Sequence, residues 1–121
     1  LAVDSSKTTP AILGGHINAY AVLNSCNYQY NIVKLVDNYS LNGYTDWVVP
    51  TKFDWQYGIV PNRTTINLSL GSSHQITGRY WSSTIEGNYT RAETVTFGST
   101  GVTISRNALS GTYKVRAVRY F

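Results

Sequence analysis

Six cationic side chains lie in segments that the sequence predicts to be loops, turns or strand ends, and together they could hold an anionic polymer. They are Lys52, Arg63, Arg79, Arg91, Arg106 and Lys114. Arginine presents a planar fork of donors that matches carboxylate, sulfate or phosphate. Several such contacts, each weak, would give binding that falls as salt rises. Arg91 and Glu93 lie two apart on one strand face, so a local ion pair is the alternative role for that arginine.

The charge of the chain agrees with a polyanionic partner without requiring one. Ten Lys and Arg against six Asp and Glu give a net charge of +4, although charged residues make up only 13% of the chain. A net charge of this size also keeps a small domain soluble. A polyanion partner and simple solubility therefore both stay open.

Residues suited to catalysis or metal binding are few and dispersed. His16 and His74 are isolated, and Ser82 and Ser83 lack the Gly-x-Ser-x-Gly context of a hydrolase nucleophile. The carboxylates suggest no pair of the glycosidase type, and zinc, phosphate-loop and dinucleotide motifs are absent. The single cysteine, Cys26, is expected to be a small buried residue, with pairing between chains as the alternative. We expect no enzyme, metal or cofactor.

Two aromatic motifs could serve either a ligand or the core. Asp46 and Trp47 precede Pro50, and they could form a polar and stacking site for a ligand. The interpretation we favour is that Asp46 fixes the loop through backbone amides while Trp47 fills the core. For the motif at residues 80–84, we likewise expect Trp81 to be a core residue, followed by hydroxyls that bond local backbone groups.

The last predicted strand, residues 113–120, carries an arginine on each face. Lys114 and Arg116 share a face with Val118, whereas Arg119 lies on the opposite face. At least one of these arginines should be partly buried and should then need a carboxylate. The candidate partners are Asp46, Asp54 and Glu86. We expect scaffold roles for Arg116 and Arg119.

The first half of the chain predicts two helices that would position these residues. Apolar residues recur at helical spacing over residues 28–39. Thr51 is typical of an N-cap with Asp54 at the third helical position, which predicts a short helix over residues 52–57. The small apolar residues of segment 11–22 predict a short strand or a close-packed loop instead.

The second half of the chain predicts antiparallel strands. Pro61 would stop the second helix, and residues 64–70 alternate weakly as a strand would. Residues 71–78 predict a loop, and residues 94–97 and 102–105 predict a hairpin with a four-residue turn. Helices followed by antiparallel strands indicate an α+β domain.

The length fits one domain. Polar residues 1–10 are expected to connect residues 11–121, the binding domain, to a longer chain, because the sequence contains no methionine at all. No apolar run reaches the roughly 18 residues of a membrane span, so we expect no membrane insertion.

Several motifs, taken in order, resemble the Lcl C-terminal domain family of collagen-like bacterial adhesins. They are Gly14-Gly15, residues 43–51, residues 80–84, Ala92, Phe97-Gly98 and residues 115–119. The structural positions of this pattern are Gly43, Asp46, Trp47, Pro50, Trp81, Ser82, Ser83, Arg116 and Arg119. The match extends over nearly the whole chain, and the family implies a C-type-lectin-like α+β fold with two helices packed on strands and hairpins.

The resemblance also implies a function. The family implies a non-enzymatic adhesin domain, extracellular on a cell surface or at a virion fibre tip, that binds sulfated glycosaminoglycans such as heparin as a homotrimer. Calcium-dependent sugar binding is not implied, because the proline and Trp-Asn-Asp motifs of such lectins are missing. The alternatives are a phage tail-fibre or surface tip that binds a protein or neutral glycan receptor, and a structural cap that only trimerises a stalk. We do not expect nucleic acid as a partner.

Overall fold

The computed structural model describes residues 8–24, 31–85, 90–99 and 101–121. Its α-helices are α1 (Gly15–Leu23), α2 (Asn31–Asp37) and α3 (Arg63–Leu70). A π-helical turn (Asp54–Ile59) and a 3₁₀ turn (Val60–Asn62) lead directly into α3. The strands are β1 (Gly78–Ile85), β2 (Arg91–Gly98) and β3 (Gly101–Ala108). Cys26, Glu86, residues 1–7 of the expected connector and the start of the helix predicted at 28–39 lie outside the described residues.

The three strands form one antiparallel sheet in the order β1-β2-β3. Gly98 pairs with Gly101, so β2 and β3 form the hairpin that the sequence predicts. The helices, which end at Leu70, precede the antiparallel sheet, which begins at Gly78, so the α+β class is confirmed. Among the described residues, no helix has the length and apolar character needed to cross a membrane.

Strand β1 is buried on both faces and separates two apolar clusters. Tyr80 belongs to a cluster with Trp55, Ile76, Val95 and Phe97. The next residue, Trp81, points the other way, into a cluster with Val22, Val33, Val36, Val49, Ile85 and Ala92. Successive side chains of a strand face opposite sides, so β1 fixes the relative position of the two halves of the core.

The expectation of a strand or loop at residues 11–22 is wrong, because most of that segment is helix α1. The buried face of α1 carries Gly15, Asn18, Ala21 and Val22. These residues are mostly small, so their helical spacing gives little hydrophobic periodicity. Gly15 has to be small, since a Cβ there would lie 2.5 Å from the Tyr120 hydroxyl and 2.7 Å from Val48 Cγ2.

The N-cap predicted before the second helix is confirmed, but the predicted end of that helix is wrong. The Asp54 amide donates to Thr51 Oγ1 (3.1 Å), and the Thr51 amide donates to the Asp54 carboxylate (3.0 Å). The helical path then continues through Pro61 to Leu70, so the strand expected at residues 64–70 does not form. Pro61 lies in the first turn of a new helical segment, where a missing amide costs no hydrogen bond.

The expected last strand forms only two single bridges. Lys114 pairs in parallel with Tyr80, and Val118 pairs antiparallel with Val48. Residues 115–117 lie between the bridges without a ladder of their own. The alternation of apolar and cationic residues predicts a continuous strand. In the structure the backbone of this segment pairs only at Lys114 and Val118.

Candidate polyanion-binding face

The carbonyl oxygens of one loop, residues 71–77, accept hydrogen bonds from three cationic side chains. The pairs are Arg116 Nη2 with His74 (3.1 Å), Arg63 Nε with Ile76 (3.1 Å) and Lys114 Nζ with Thr77 (2.8 Å). The loop lies where the sequence predicts one. It brings together a helix residue and two residues of the C-terminal segment that are far apart in sequence.

Arg79 joins these three cations at the start of β1. Its Nε donates to Thr96 Oγ1 (2.9 Å), and its guanidinium lies 4.9 Å from the Tyr113 ring centroid. Its carbonyl accepts a hydrogen bond from the Lys114 amide (3.0 Å). Gly78, at φ +86°, lets Lys114 pass closely, because a Cβ there would lie 3.2 Å from Lys114 Nζ. We call Arg63, Arg79, Lys114 and Arg116 the cationic face.

In the part of the chain that the structure describes, the four cations of this face have neutral acceptors and no carboxylate partner. The ion pairs there join Lys52 and Arg106 to Glu93, and Arg119 to Asp46. Positive charges grouped without nearby counter-charges raise the local potential and attract anions.

Three of these cations lie over the faces of aromatic rings. The distances to the ring centroids are 4.6 Å for Arg63 over Phe97, 4.9 Å for Arg79 over Tyr113 and 5.6 Å for Lys114 over Tyr80. A cation over a ring face is attracted by the ring quadrupole. The rings also restrict long side chains before any ligand arrives, which reduces the entropy that binding costs.

The other three cations expected to bind a ligand lie apart from this face. Lys52 Nζ and Arg106 Nε lie 3.9 Å and 3.2 Å from Glu93 Oε1, and the three residues line a separate cleft of about 540 Å³. Arg91 is exposed at the start of β2. The ion pair considered between Arg91 and Glu93 does not form in the described structure, because Glu93 lies beside Lys52 and Arg106 instead.

The expectation that an arginine near the C-terminus needs a carboxylate is confirmed for Arg119. Its guanidinium donates to both oxygens of Asp46 (2.5 and 3.2 Å) and lies 3.5 Å from the Tyr44 ring centroid. The hydrogen bond from Arg119 holds the pKa of Asp46 below its usual value. Arg116, expected in a similar scaffold role, binds the His74 carbonyl and lies on the cationic face.

The remaining motif positions lie in turns or in the core. Gly43, at φ +82°, follows Asn42 in a turn closed by Leu41 and Tyr44. Trp47 is half-buried against the apolar cluster that contains Trp81, and its indole donates to the Tyr44 carbonyl (3.1 Å). The fully or nearly fully buried members are Pro50, Trp81, Ser82 and Ser83.

Two polar residues, buried Asn18 and half-buried Tyr120, are not singled out by the sequence. Asn18 is fully buried, and its amide donates to the Thr9 carbonyl and to Ser83 Oγ, both at 2.9 Å. The Tyr120 hydroxyl accepts a hydrogen bond from the Gly15 amide (3.0 Å). Most of these partners are far apart in sequence, so no local spacing predicts them.

An apolar groove of about 810 Å³ lies beside the cationic face. Its lining includes Leu35, Tyr39 and Trp47 from α2 and the segment that follows it, Ile59, Ile66 and Leu70 from the central helical path, and residues 115–118. Lys114 and Arg116 also line it, so the groove and the cationic face share two residues.

No protein-family model, curated protein or solved structure matches this chain. Within the described ranges, no group of three or more His, Cys, Asp or Glu residues could hold a metal ion. The arrangement of the cations is therefore the observation on which a functional proposal rests.

Proposed function

We propose that this domain is a non-enzymatic adhesion module that binds sulfated glycosaminoglycans or similar polyanions. The observation that carries the proposal is the cationic face. Its four cations lie around one loop, and in the described residues they make hydrogen bonds only to neutral acceptors.

The three arginines of this face still have donors to offer. Arg63, Arg79 and Arg116 each use one side-chain N–H in a hydrogen bond within the described structure. A guanidinium carries five N–H donors, of which a sulfate can accept two in a bidentate contact. The face could therefore hold several sulfates of one chain without breaking the contacts that orient it.

The wider assignment follows the family resemblance. We propose an extracellular setting at a cell surface or fibre tip, a C-type-lectin-like variant of the α+β fold, and a homotrimer. Three copies of a weak site would raise the overall affinity for a repeating polymer through effective concentration.

Binding to immobilised heparin, eluted with a salt gradient, tests the proposal. The face variant replaces Arg79, Lys114 and Arg116 with Gln. The control variant replaces Lys34, Arg91 and Arg106 with Gln, so both lose three charges. We expect the native domain to elute well above physiological salt, and the face variant to elute much earlier than the control variant.

Two results would overturn this proposal. The native domain could flow through near physiological salt, or the two variants could shift equally. The latter result would show that net charge alone causes retention.

The second candidate is a tip that binds a protein or neutral glycan receptor. The apolar groove with Tyr39 and Trp47 in its lining favours it, because aromatic side chains offer an apolar body with a polar edge to a ligand. Receptor binding that persists at high salt would favour this candidate over the first.

A further inference from the structure

Three consecutive residues that line the apolar groove have unpaired backbone groups. Within the described structure, the amides and carbonyls of Val115, Arg116 and Ala117 make no hydrogen bond, although all three residues are half-buried. The side chains of Val115 and Ala117 pack on the apolar cluster that contains Trp81 and hold the segment in place. Buried backbone groups in folded proteins almost always have hydrogen-bond partners, so an occupant that excluded water from this segment would have to supply them.

The bridges at either end indicate which edge of this segment is open. Lys114 uses its amide and carbonyl toward β1, and Val118 uses both toward Val48. Val48 and β1 lie on the same side, since the Ser83 amide donates to the Pro50 carbonyl (2.8 Å). Backbone groups of successive residues in an extended chain point to opposite edges. Lys114 and Val118 are four residues apart and pair toward the same side, which fits an extended path between them. We infer that the groups of Val115 and Ala117 face away from β1, along an open edge.

An occupant of the groove has three chemical requirements to meet. It must offer donors and acceptors to an open backbone edge, apolar groups to walls such as Leu35 and Ile66, and negative charge to Lys114 and Arg116. A lipid chain would satisfy the walls, but it would exclude water from the half-buried amides of this segment without offering them hydrogen bonds, which is costly. An extended peptide meets all three requirements.

We propose that the groove binds an extended segment of a protein partner as an added strand along residues 115–117. The segment carries apolar side chains at alternate positions and an acidic residue opposite Lys114 and Arg116. Main-chain hydrogen bonds supply affinity in this mode of recognition, and pockets for alternate side chains supply specificity. This goes beyond polyanion binding, because Arg63 and Arg79 do not line the groove.

The first experiment selects a displayed library of random short peptides on the native domain. Two matched variants then test the selected peptides. Leu35→Glu puts a negative charge into the lining of the groove, where Leu35 is 64% exposed, and Leu68→Glu makes the same change outside the groove, where Leu68 is 81% exposed. Both side chains are exposed, so we expect both variants to fold.

We expect selected peptides to combine alternating apolar residues with an acidic residue. Their affinity should fall at least tenfold on Leu35→Glu and stay unchanged on Leu68→Glu. In amide hydrogen exchange, the amides of Val115 and Ala117 should exchange quickly in the free domain and become protected by the peptide. Arg79→Gln should weaken heparin binding and leave peptide binding intact, so failure of one proposal is distinguishable from failure of the other.

Several results would overturn the peptide proposal. The Val115 and Ala117 amides could already be protected in the free domain, or the library could yield no peptide sensitive to Leu35→Glu. An oligomer that dissociates in Leu35→Glu would assign the groove to a second copy of the chain. Oleate binding in the groove without protection of the two amides would assign it to a lipid instead.

Discussion

The Tyr120 hydroxyl donates a hydrogen bond of 2.5 Å to the Asp54 carboxylate, 66 residues earlier in the chain. The other oxygen of that carboxylate accepts the Leu13 amide (2.8 Å), and Tyr120 accepts the Gly15 amide (3.0 Å). One carboxylate thus joins the start of α1, the start of the central helical path and the C-terminus. These contacts hold together the ends of the described domain.

We expect Tyr120→Phe to destabilise the domain. The variant removes a hydrogen bond to a carboxylate and leaves the Gly15 amide without its acceptor, which together should cost about 2–4 kcal/mol. Denaturant unfolding measures the change. Tyr57→Phe is the control, because Tyr57 is exposed and its hydroxyl accepts only a bond from its neighbour Gln56 in the described structure. Equal stability of the two variants would contradict a role for the Tyr120 contact.

Stability should also fall in alkali because of Tyr120. Burial, with the Asp54 carboxylate as a further cause, raises the pKa of Tyr120 well above its usual value near 10. The unfolded chain therefore loses this proton at lower pH than the folded chain does. The contribution of Tyr120 to stability is complete below pH 10 and decreases as pH rises above it. Unfolding free energies measured from pH 8 to 11 should decline less steeply for Tyr120→Phe than for the native domain.

Gly15 and Gly58 should respond differently to substitution by alanine. A Cβ at Gly15 would meet the Tyr120 hydroxyl and Val48, so Gly15→Ala should cost about 1–3 kcal/mol through overpacking. A Cβ at Gly58 would meet nothing within 4 Å, and Gly58 lies in a helical segment. Gly58→Ala should therefore be neutral or stabilise by up to about 1 kcal/mol. The melting temperatures of the two variants, each compared with the native domain, test these predictions. A Gly15→Ala variant as stable as the native domain would contradict the close contact at Gly15.

The salt dependence of heparin binding should separate cations that touch the ligand from those that do not. By analogy with nucleic-acid phosphates, removing one cation that touches the polymer lowers the slope of log affinity against log salt by about 0.7–0.9. We expect that decrease for Arg79→Gln. Arg106→Gln, which removes one charge from the pair with Glu93, should leave the slope unchanged. Titration calorimetry at several salt concentrations gives both slopes, and equal slopes for the two variants would contradict the assignment of Arg79 to the binding face.

Features that depend on near neighbours in the chain can be predicted from the sequence. The capping pair of Thr51 and Asp54 joins residues three apart, and the hairpin of β2 and β3 follows from alternating residues around a glycine-containing turn. Helices α1 and α3 are not predicted by the sequence, because α1 buries mainly small residues and α3 has no fully buried residue. The small buried side chains of α1 leave little hydrophobic periodicity, and α3 is short and only partly buried through residues such as Ile66 and Leu70.

Which cations lie together depends on contacts between residues that are far apart in the sequence. Arg63, Arg79 and Lys114 meet at one loop, whereas Lys52 and Arg106 are held by Glu93. The sequence shows all ten cations, but their partners are not local. Whether a charge is neutralised depends on distances of a few ångströms, and those distances follow from how the sheet and the helices pack.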